Sequence, residues 1–248
     1  MIGGISASGG VRAPKKRSKP RGTTSVAFDG TNDNVSISDF TFATTGDFSV
    51  SAWFKYSDDD RNEGIFNQSA DRPNTITFMK DVLDRIKFSA TVSGSSIINL
   101  LTNANATPNT NRWYHVVVCV DRSSASDSKI YVDGVAATMG TQTIADTTTS
   151  IDLAADITVG LTGTTYLKGR MKEITFYNKT LNVKEVSMIY KNNAAQRLEK
   201  SRLGKNMLCH LTMGDRDDTS ATTVTDLSGN SRNGTLTNGA SFVTDSPS

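Results

Sequence analysis

Arg112–Val135 reads RWYHVVVCVDRSSASDSKIYVDGV, and the rest of the chain is organised around it. Trp113 to Val120 is almost wholly apolar and rich in β-branched and aromatic residues. That is the pattern of a strand buried on both faces, because each side chain must meet an apolar partner above or below the sheet. A polar stretch with four serines, Asp121 to Ser128, follows. Lys129-Ile130-Tyr131-Val132 then alternates polar and apolar. Asp133-Gly134 supplies the positive φ angles of a tight turn, so a hairpin leads into a strand after Val135. Two strands and two turns in 24 residues predict an antiparallel β architecture.

The chain has 248 residues, enough for one large all-β domain or two small ones. It is 36% hydrophobic and 21% charged, with a mean hydropathy of −0.34. No apolar run approaches the ~18 residues of a membrane span, and residues 1–22 lack the apolar block of a secretory signal. Cys119 and Cys209 both sit in apolar strand patterns. They read as buried free thiols, with a bridge between them as the alternative. The net charge is +2, unevenly distributed. Residues 1–22 carry Arg12, Lys15, Lys16, Arg17, Lys19 and Arg21 and no acid. The other residues hold 21 of the 27 basic side chains against all 25 acidic ones. The sequence is thus a basic arm, Gly/Ser-rich and then Pro/Lys/Arg-rich, on a mildly acidic body spanning residues 23–248.

Along the body, TSVAFDGTNDNVSIS (residues 24–38) predicts two short strands around the Asp29-Gly30 turn. DFSVSAWFKY (residues 47–56) alternates Phe48, Val50, Ala52 and Phe54 with Ser49, Ser51 and Trp53, which predicts a half-buried strand. An acidic loop, Asp58 to Asp60, comes next. GIFNQ, TITFMK, RIKFSATV and SIINLLT are further strands. Thr138 to Ser150 is a polar, Thr-rich connection, and ITVG and YLKGRMKEITFYN are strands after it. TLNVKEVSMIY contains the one clear helix: Asn182 caps it, Glu185 three residues on completes a capping box, and Val183, Val186, Ile189 and Tyr190 form the inward stripe. A second helical turn is expected between Ala194 and Arg202.

Several of these stretches resemble the laminin-G-like, concanavalin-A-like sandwich family. They are the WYHVVVCVD and KIYVDGV hairpin, the Phe28-Asp29-Gly30 opening, the FSVSAW strand and the GRMKEITFYN strand, in which Lys172 stands where the family pattern has Asp. The segment from Leu208 to Pro247 resembles one that in many members precedes the Phe-Asp-Gly strand. Here it follows the helix, like a circular permutation. Residues 206–248 are therefore expected to supply C-terminal strands completing the same domain, since about 40 residues bury too little surface to stand alone as a second one. The resemblance covers roughly residues 24–243. It implies an all-β fold: a two-sheet antiparallel jelly-roll sandwich with one short C-terminal helix and the basic N-terminal arm.

Sequence evidence for chemistry is thin. Sandwich glycosidases place paired carboxylates at alternate positions of a strand. Here Glu173 is the one acid within its strand, while Asp58 to Asp60 and Asp215, Asp217 and Asp218 are loop clusters that read as solvated turns. His115 and His210 lie in apolar strands and read as structural. No catalytic residue is assigned and the chain is expected not to be an enzyme. No cofactor is expected either. Ca²⁺, which takes six to eight oxygens, has candidate loops at Asp29 and Asp33 and at Asp226 and Asn230, and some family members bind it near such loops. Lectin-like sandwiches bind sugars with loop-borne Asp, Asn and aromatic residues, but Trp53 and Trp113 here both lie within strands.

The resemblance, joined to the missing secretion signal, points first to a structural or decoration protein of a bacteriophage particle, made in host cytoplasm. The alternative is a carbohydrate-binding module for host or extracellular glycans. The site expected from the residues is the arm: Arg12, Lys15, Lys16, Arg17, Lys19 and Arg21, spanning about 30 Å if extended. Its expected partner is an acidic surface on another virion subunit. Non-specific nucleic-acid binding is the alternative, with a log–log salt slope of about −5. A membrane is disfavoured, because the arm has no aromatic or amphipathic face.

Overall fold

The computed structural model describes residues 22–71, 73–192, 198–214 and 221–247. The six basic arm residues named above lie outside them, as do Asp215, Asp217 and Asp218. In chain order the strands are β1 (Thr24–Asp29), β2 (Asn34–Ile37), β3 (Phe48–Tyr56), β4 (Glu63–Asp71), β5 (Asn74–Lys80), β6 (Ile86–Val92) and β7 (Ser95–Thr102). Next come β8 (Tyr114–Val120), β9 (Lys129–Val132), β10 (Val135–Ala136), β11 (Met139–Ile144), β12 (Ile157–Val159), β13 (Leu161–Thr162), β14 (Thr165–Tyr166) and β15 (Lys168–Tyr177). The helix α1 (Val183–Asn192) and two 3₁₀ turns (Leu198–Lys200 and Gly204–Asn206) precede β16 (Met207–Leu211), β17 (Thr223–Val224), β18 (Gly234–Thr237) and β19 (Ser241–Thr244).

Two antiparallel sheets form a jelly-roll sandwich. The first runs β10-β9-β8-β3-β15-β1-β19, and β16 continues along β15 where β1 ends. The second runs β11-β7-β6-β5-β4-β12-β2-β18-β17. The C-terminal strands thus join both sheets: β16 and β19 in the first, β17 and β18 in the second. The Thr-rich stretch expected to be a connection contributes β11, in which a bulge between Met139 and Thr141 lets both Met139 and Ile144 pack against the core.

Between the sheets lies a core rich in phenylalanine. Phe176 from the first sheet meets Phe66 from the second at 5.3 Å between ring centres, and Phe42 at 5.1 Å. Each buried ring of this kind contributes roughly 2–3 kcal/mol. The outward face of the first sheet is also covered. Val117, Cys119, Tyr131 and Tyr177 pack against Leu181, Val186, Ile189, Leu198 and Leu203 in a second apolar cluster. For that reason β8 is buried at every position, as its composition predicts. The same cover corrects the reading of β3: it is not half-buried, since Ser49, Ser51 and Trp53 are buried as well.

Helix α1 begins as the capping box predicts. The Asn182 side-chain oxygen accepts from the amides of Lys184 (3.0 Å) and Glu185 (3.1 Å), and Glu185 accepts from the Asn182 amide (2.9 Å). Its inward stripe differs in one position. Val183 is 58% exposed, because the first helical residue lies short of the sheet. Tyr190 stacks on Trp53, and Trp53 on His115, at 5.6 and 5.0 Å between ring centres. The Asp133-Gly134 turn closes the β9–β10 hairpin with both residues at positive φ, 50° and 78°. A side chain at Gly134 would also run into Tyr190.

Cys119 and Cys209 are free and occupy different apolar clusters, Cys119 under the helix and Cys209 in the inter-sheet core. Burial pushes the Cys119 thiol up to about 11, so it holds almost no thiolate at neutral pH. Cys119 in the native protein is therefore expected to resist thiol reagents until the chain unfolds. Cys119→Ser should destabilise the fold by about 1–3 kcal/mol, read by denaturant titration. Fast labelling without denaturant would contradict this packing.

Candidate functional site

The loops that suit Ca²⁺ by sequence use their carboxylates internally. Asp226 takes the amides of His210 (2.8 Å) and Ser228 (2.9 Å) on one oxygen, and the Ser228 hydroxyl (2.8 Å) and Arg232 amide (2.9 Å) on the other. The Asn230 amide group donates to the carbonyls of Met207 and Leu208. Asp29 accepts from the Thr31 amide and Asp33 from the Asp29 amide, at 2.7 and 3.0 Å. These are turn-closing bonds of the Asx kind. What the structure does bring together is the acidic loop after β3: carboxylate oxygens of Asp58, Asp59 and Asp60 lie within 4.8 Å of one another, with Lys168 Nζ 3.5 Å from Asp58.

Below that loop lies a buried charged pair across β4 and β5. Glu63 and Lys80 are opposite each other in the register, and both are fully buried. The Lys80 ammonium is satisfied by Asp84 (3.0 Å), by the Asp59 carbonyl (3.0 Å) and by the face of Tyr56 (4.4 Å). Glu63 accepts from the Lys168 amide at 2.8 Å and has Arg61 Nε at 3.7 Å. Desolvation outweighs these partners and raises its carboxyl to about 7. His115, also fully buried, is pushed down to about 3 by desolvation and stays neutral. His210 is buried on β16. Trp113 donates to Asp245 at 3.2 Å and Trp53 lies under α1, so neither indole forms a loop platform.

The feature that loop-by-loop reading misses is the outward face of the second sheet. Each strand there alternates, with the apolar side chain turned to the core. The register then aligns the outward ones. Thr143 pairs with Asn99, Asn99 with Ser89, Ser89 with Thr77 and Thr77 with Asn67. The row continues from Asn67 to Thr158, Ser36, Thr235 and Thr223. One row of uncharged hydrogen-bonding side chains therefore crosses all nine strands. Beside it runs a shorter row of the same character, Ser69–Thr75–Thr91–Ser96. Asn67 donates to the Thr77 hydroxyl at 3.2 Å, which orients both.

Over the middle of this face lies a groove of about 430 Å³. Its floor is Asn67, Thr75, Thr77, Met79, Lys87 and Ser89; its walls are Pro73 of the β4–β5 turn and Thr162 and Gly163 of the β13–β14 ribbon. Among the described residues, Lys87 is the one charged side chain that lines it, and no carboxylate does. Among the described residues, the groove holds no pair of acids of the sort that glycoside hydrolysis uses. The signal was present in sequence as Thr or Ser at alternate positions of TITFMK and RIKFSATV, but alternation alone does not tell a binding face from a wetted one.

Comparison with known families gives one match: residues 29–187 fit the concanavalin A-like lectin/glucanases superfamily. The chain belongs to that superfamily. Comparison with curated proteins gives no match. Among solved structures, superfamily-like sandwiches recur. A candidate carbohydrate-binding protein from Bacteroides ovatus has a TM-score of 0.64 at 15% identity, over 91% of this chain and 61% of that one. The heptameric SAP-like pentraxin of Limulus polyphemus has a TM-score of 0.53 at 14% identity, over 69% of this chain and 83% of that one. The chain thus spans about three-fifths of the Bacteroides protein. Among the described residues, no helix is long and apolar enough to cross a membrane.

Glu63 allows a test of this end of the sandwich. A carboxyl raised from 4.5 to about 7 by folding binds more protons in the folded state. Its contribution therefore favours the fold at acid pH and is lost as pH rises through that window. Glu63→Gln should raise the melting temperature at pH 8, by an amount equivalent to about 3 kcal/mol at most, and the gain should shrink towards pH 5. A gain that does not vary with pH would mean that Glu63 titrates normally.

Proposed function

We propose that this chain is a non-catalytic glycan-binding sandwich that receives its ligand on the outward face of the second sheet. The observation that carries this is the groove at Asn67, Thr77 and Ser89, where hydroxyl and amide groups converge with no carboxylate among them. Hydroxyls and amides both donate and accept, as sugar hydroxyls do, so one row can satisfy either sense of hydrogen bond. A groove walled on two sides fits a small polar ligand better than a flat sheet does. The superfamily, and the candidate carbohydrate-binding role of the Bacteroides protein, point the same way.

The reading as a virion component anchored by residues 12–21 rests on the arm and gains nothing from the comparisons. It is compatible with glycan binding. Gly22, the first described residue, accepts from Lys172 on the first sheet, whereas the groove lies on the second.

The test is a glycan array followed by calorimetry with wild type and with Thr77→Val. Valine keeps the shape and strand preference and removes the hydroxyl. Binding should weaken about two- to tenfold, the worth of one net hydrogen bond, with a small fall in melting temperature because the Asn67 amide loses its acceptor. An array with no signal above background would remove this reading.

A further inference from the structure

We infer that Lys55, Arg170 and Trp113 form a carboxylate seat for an extended peptide bearing aspartate, and that Asp245 is the chain's own occupant of it. A partner's aspartate enters by displacing β19 and the Asp245 that follows it. The seat lies on the first sheet, apart from the groove on the second.

Register builds the seat. Phe54 and Tyr56 on β3, Met171 on β15 and Tyr114 on β8 face the core, so their chain neighbours Lys55, Arg170 and Trp113 face outward. Arg170 stands opposite Lys55, and the Lys55 ammonium lies 5.5 Å from the centre of the Trp113 ring. Two cations directly opposite each other repel, and an anion between them removes that cost. Asp245 supplies one. Its Oδ2 accepts from both Lys55 and Arg170, and its Oδ1 accepts from the Trp113 indole at 3.2 Å. A grip divided between two oxygens in this way fits a carboxylate. Burial alone would raise the Asp245 carboxyl, but the bonds from Lys55 and Trp113 and the charges of Lys55 and Arg170 hold it below the usual carboxylate range.

The form of the ligand follows from the present occupant, which is an aspartate on an extended segment. β19 is an edge strand, paired among the described strands with β1 alone. Its end residues Ser241 and Thr244 are exposed. The side chains of Lys55, Arg170 and Asp245 are 18%, 35% and 21% exposed, and ion pairs this open to solvent hold weakly. A peptide of the same chemistry can take the place of β19. Its backbone pairs with β1 and supplies affinity, while its aspartate fills the seat and supplies specificity.

The experiment is fluorescence anisotropy of a labelled peptide of residues 241–247, SFVTDSP, and of the same peptide with asparagine in place of aspartate. The proteins are the full chain, Asp245→Ala and the double variant Asp245→Ala with Arg170→Gln. Expected is binding of the aspartate peptide to Asp245→Ala about tenfold tighter than to wild type, and about tenfold tighter than that of the asparagine peptide, the worth of one hydrogen bond to a charged group. Adding Arg170→Gln should erase the preference for aspartate. Equal affinity of wild type and Asp245→Ala overturns the displacement. No binding to Asp245→Ala, equal affinity of the two peptides for it, or a preference for aspartate that survives Arg170→Gln overturns the seat. Galacturonate or sialic acid that competes at lower concentration than unlabelled SFVTDSP overturns the peptide ligand and leaves a site for sugar acids. If Asp245→Ala does not fold, Asp245→Asn, which keeps the shape, replaces it with the same outcomes.

Discussion

Burial of β8 on both faces is the constraint from which the rest of the architecture follows. Tyr114, Val116, Val118 and Val120 face the inter-sheet core, and Val117 and Cys119 face outward. An uncovered outward face would leave these side chains in water, at the loss of roughly 1.5–3 kcal/mol for a residue the size of valine. Helix α1 and the 3₁₀ turns supply the cover, and that explains why a nearly all-β chain keeps one helix. It also explains His115. Its place on the covered face desolvates the ring and holds it neutral, so the residue is a packing element beside Trp53 and Tyr190.

Covering one sheet leaves the other to meet solvent. The two outward faces are accordingly built from different residues. The first carries Val117, Cys119, Tyr131 and Tyr177 under the helix; the second carries threonine, serine and asparagine. β-Branched threonine suits this role, since it favours the strand while presenting a hydroxyl. A row of such residues is stable as sheet without any ligand.

How far the sequence was legible follows from the range of the interactions. β8, the Asp133-Gly134 hairpin and the Asn182–Glu185 cap depend on residues close in the chain, and each forms where the pattern predicts. The cover over Ser49, Ser51 and Trp53 depends on α1, more than 100 residues away, and alternation in β3 could not reveal it. The polar row is less legible still. Ser36, Asn67, Thr77, Thr158 and Thr235 become neighbours only through the register of five strands. The acidic residues of the loops stand out in sequence, yet Asp226 and Asp29 close their own turns. The arm, legible as charge, lies outside the described residues.

Lys172 shows how a departure from a family pattern can be a change of partner. Where the resemblance leads one to expect Asp, a lysine is almost fully buried, next to a bulge in β15 at Glu173, whose φ is 52°. A carboxylate there would seek donors. The ammonium instead donates to the carbonyls of Gly22 and Thr24, at 2.7 and 2.8 Å. Buried cations persist only where such acceptors meet them. The lysine therefore ties Gly22 and the first residue of β1 to the middle of the first sheet. Because Lys172 pairs in register with Trp53, this contact lies on the helix-covered face. The polar row lies on the other sheet, whose outward face is turned away from this one.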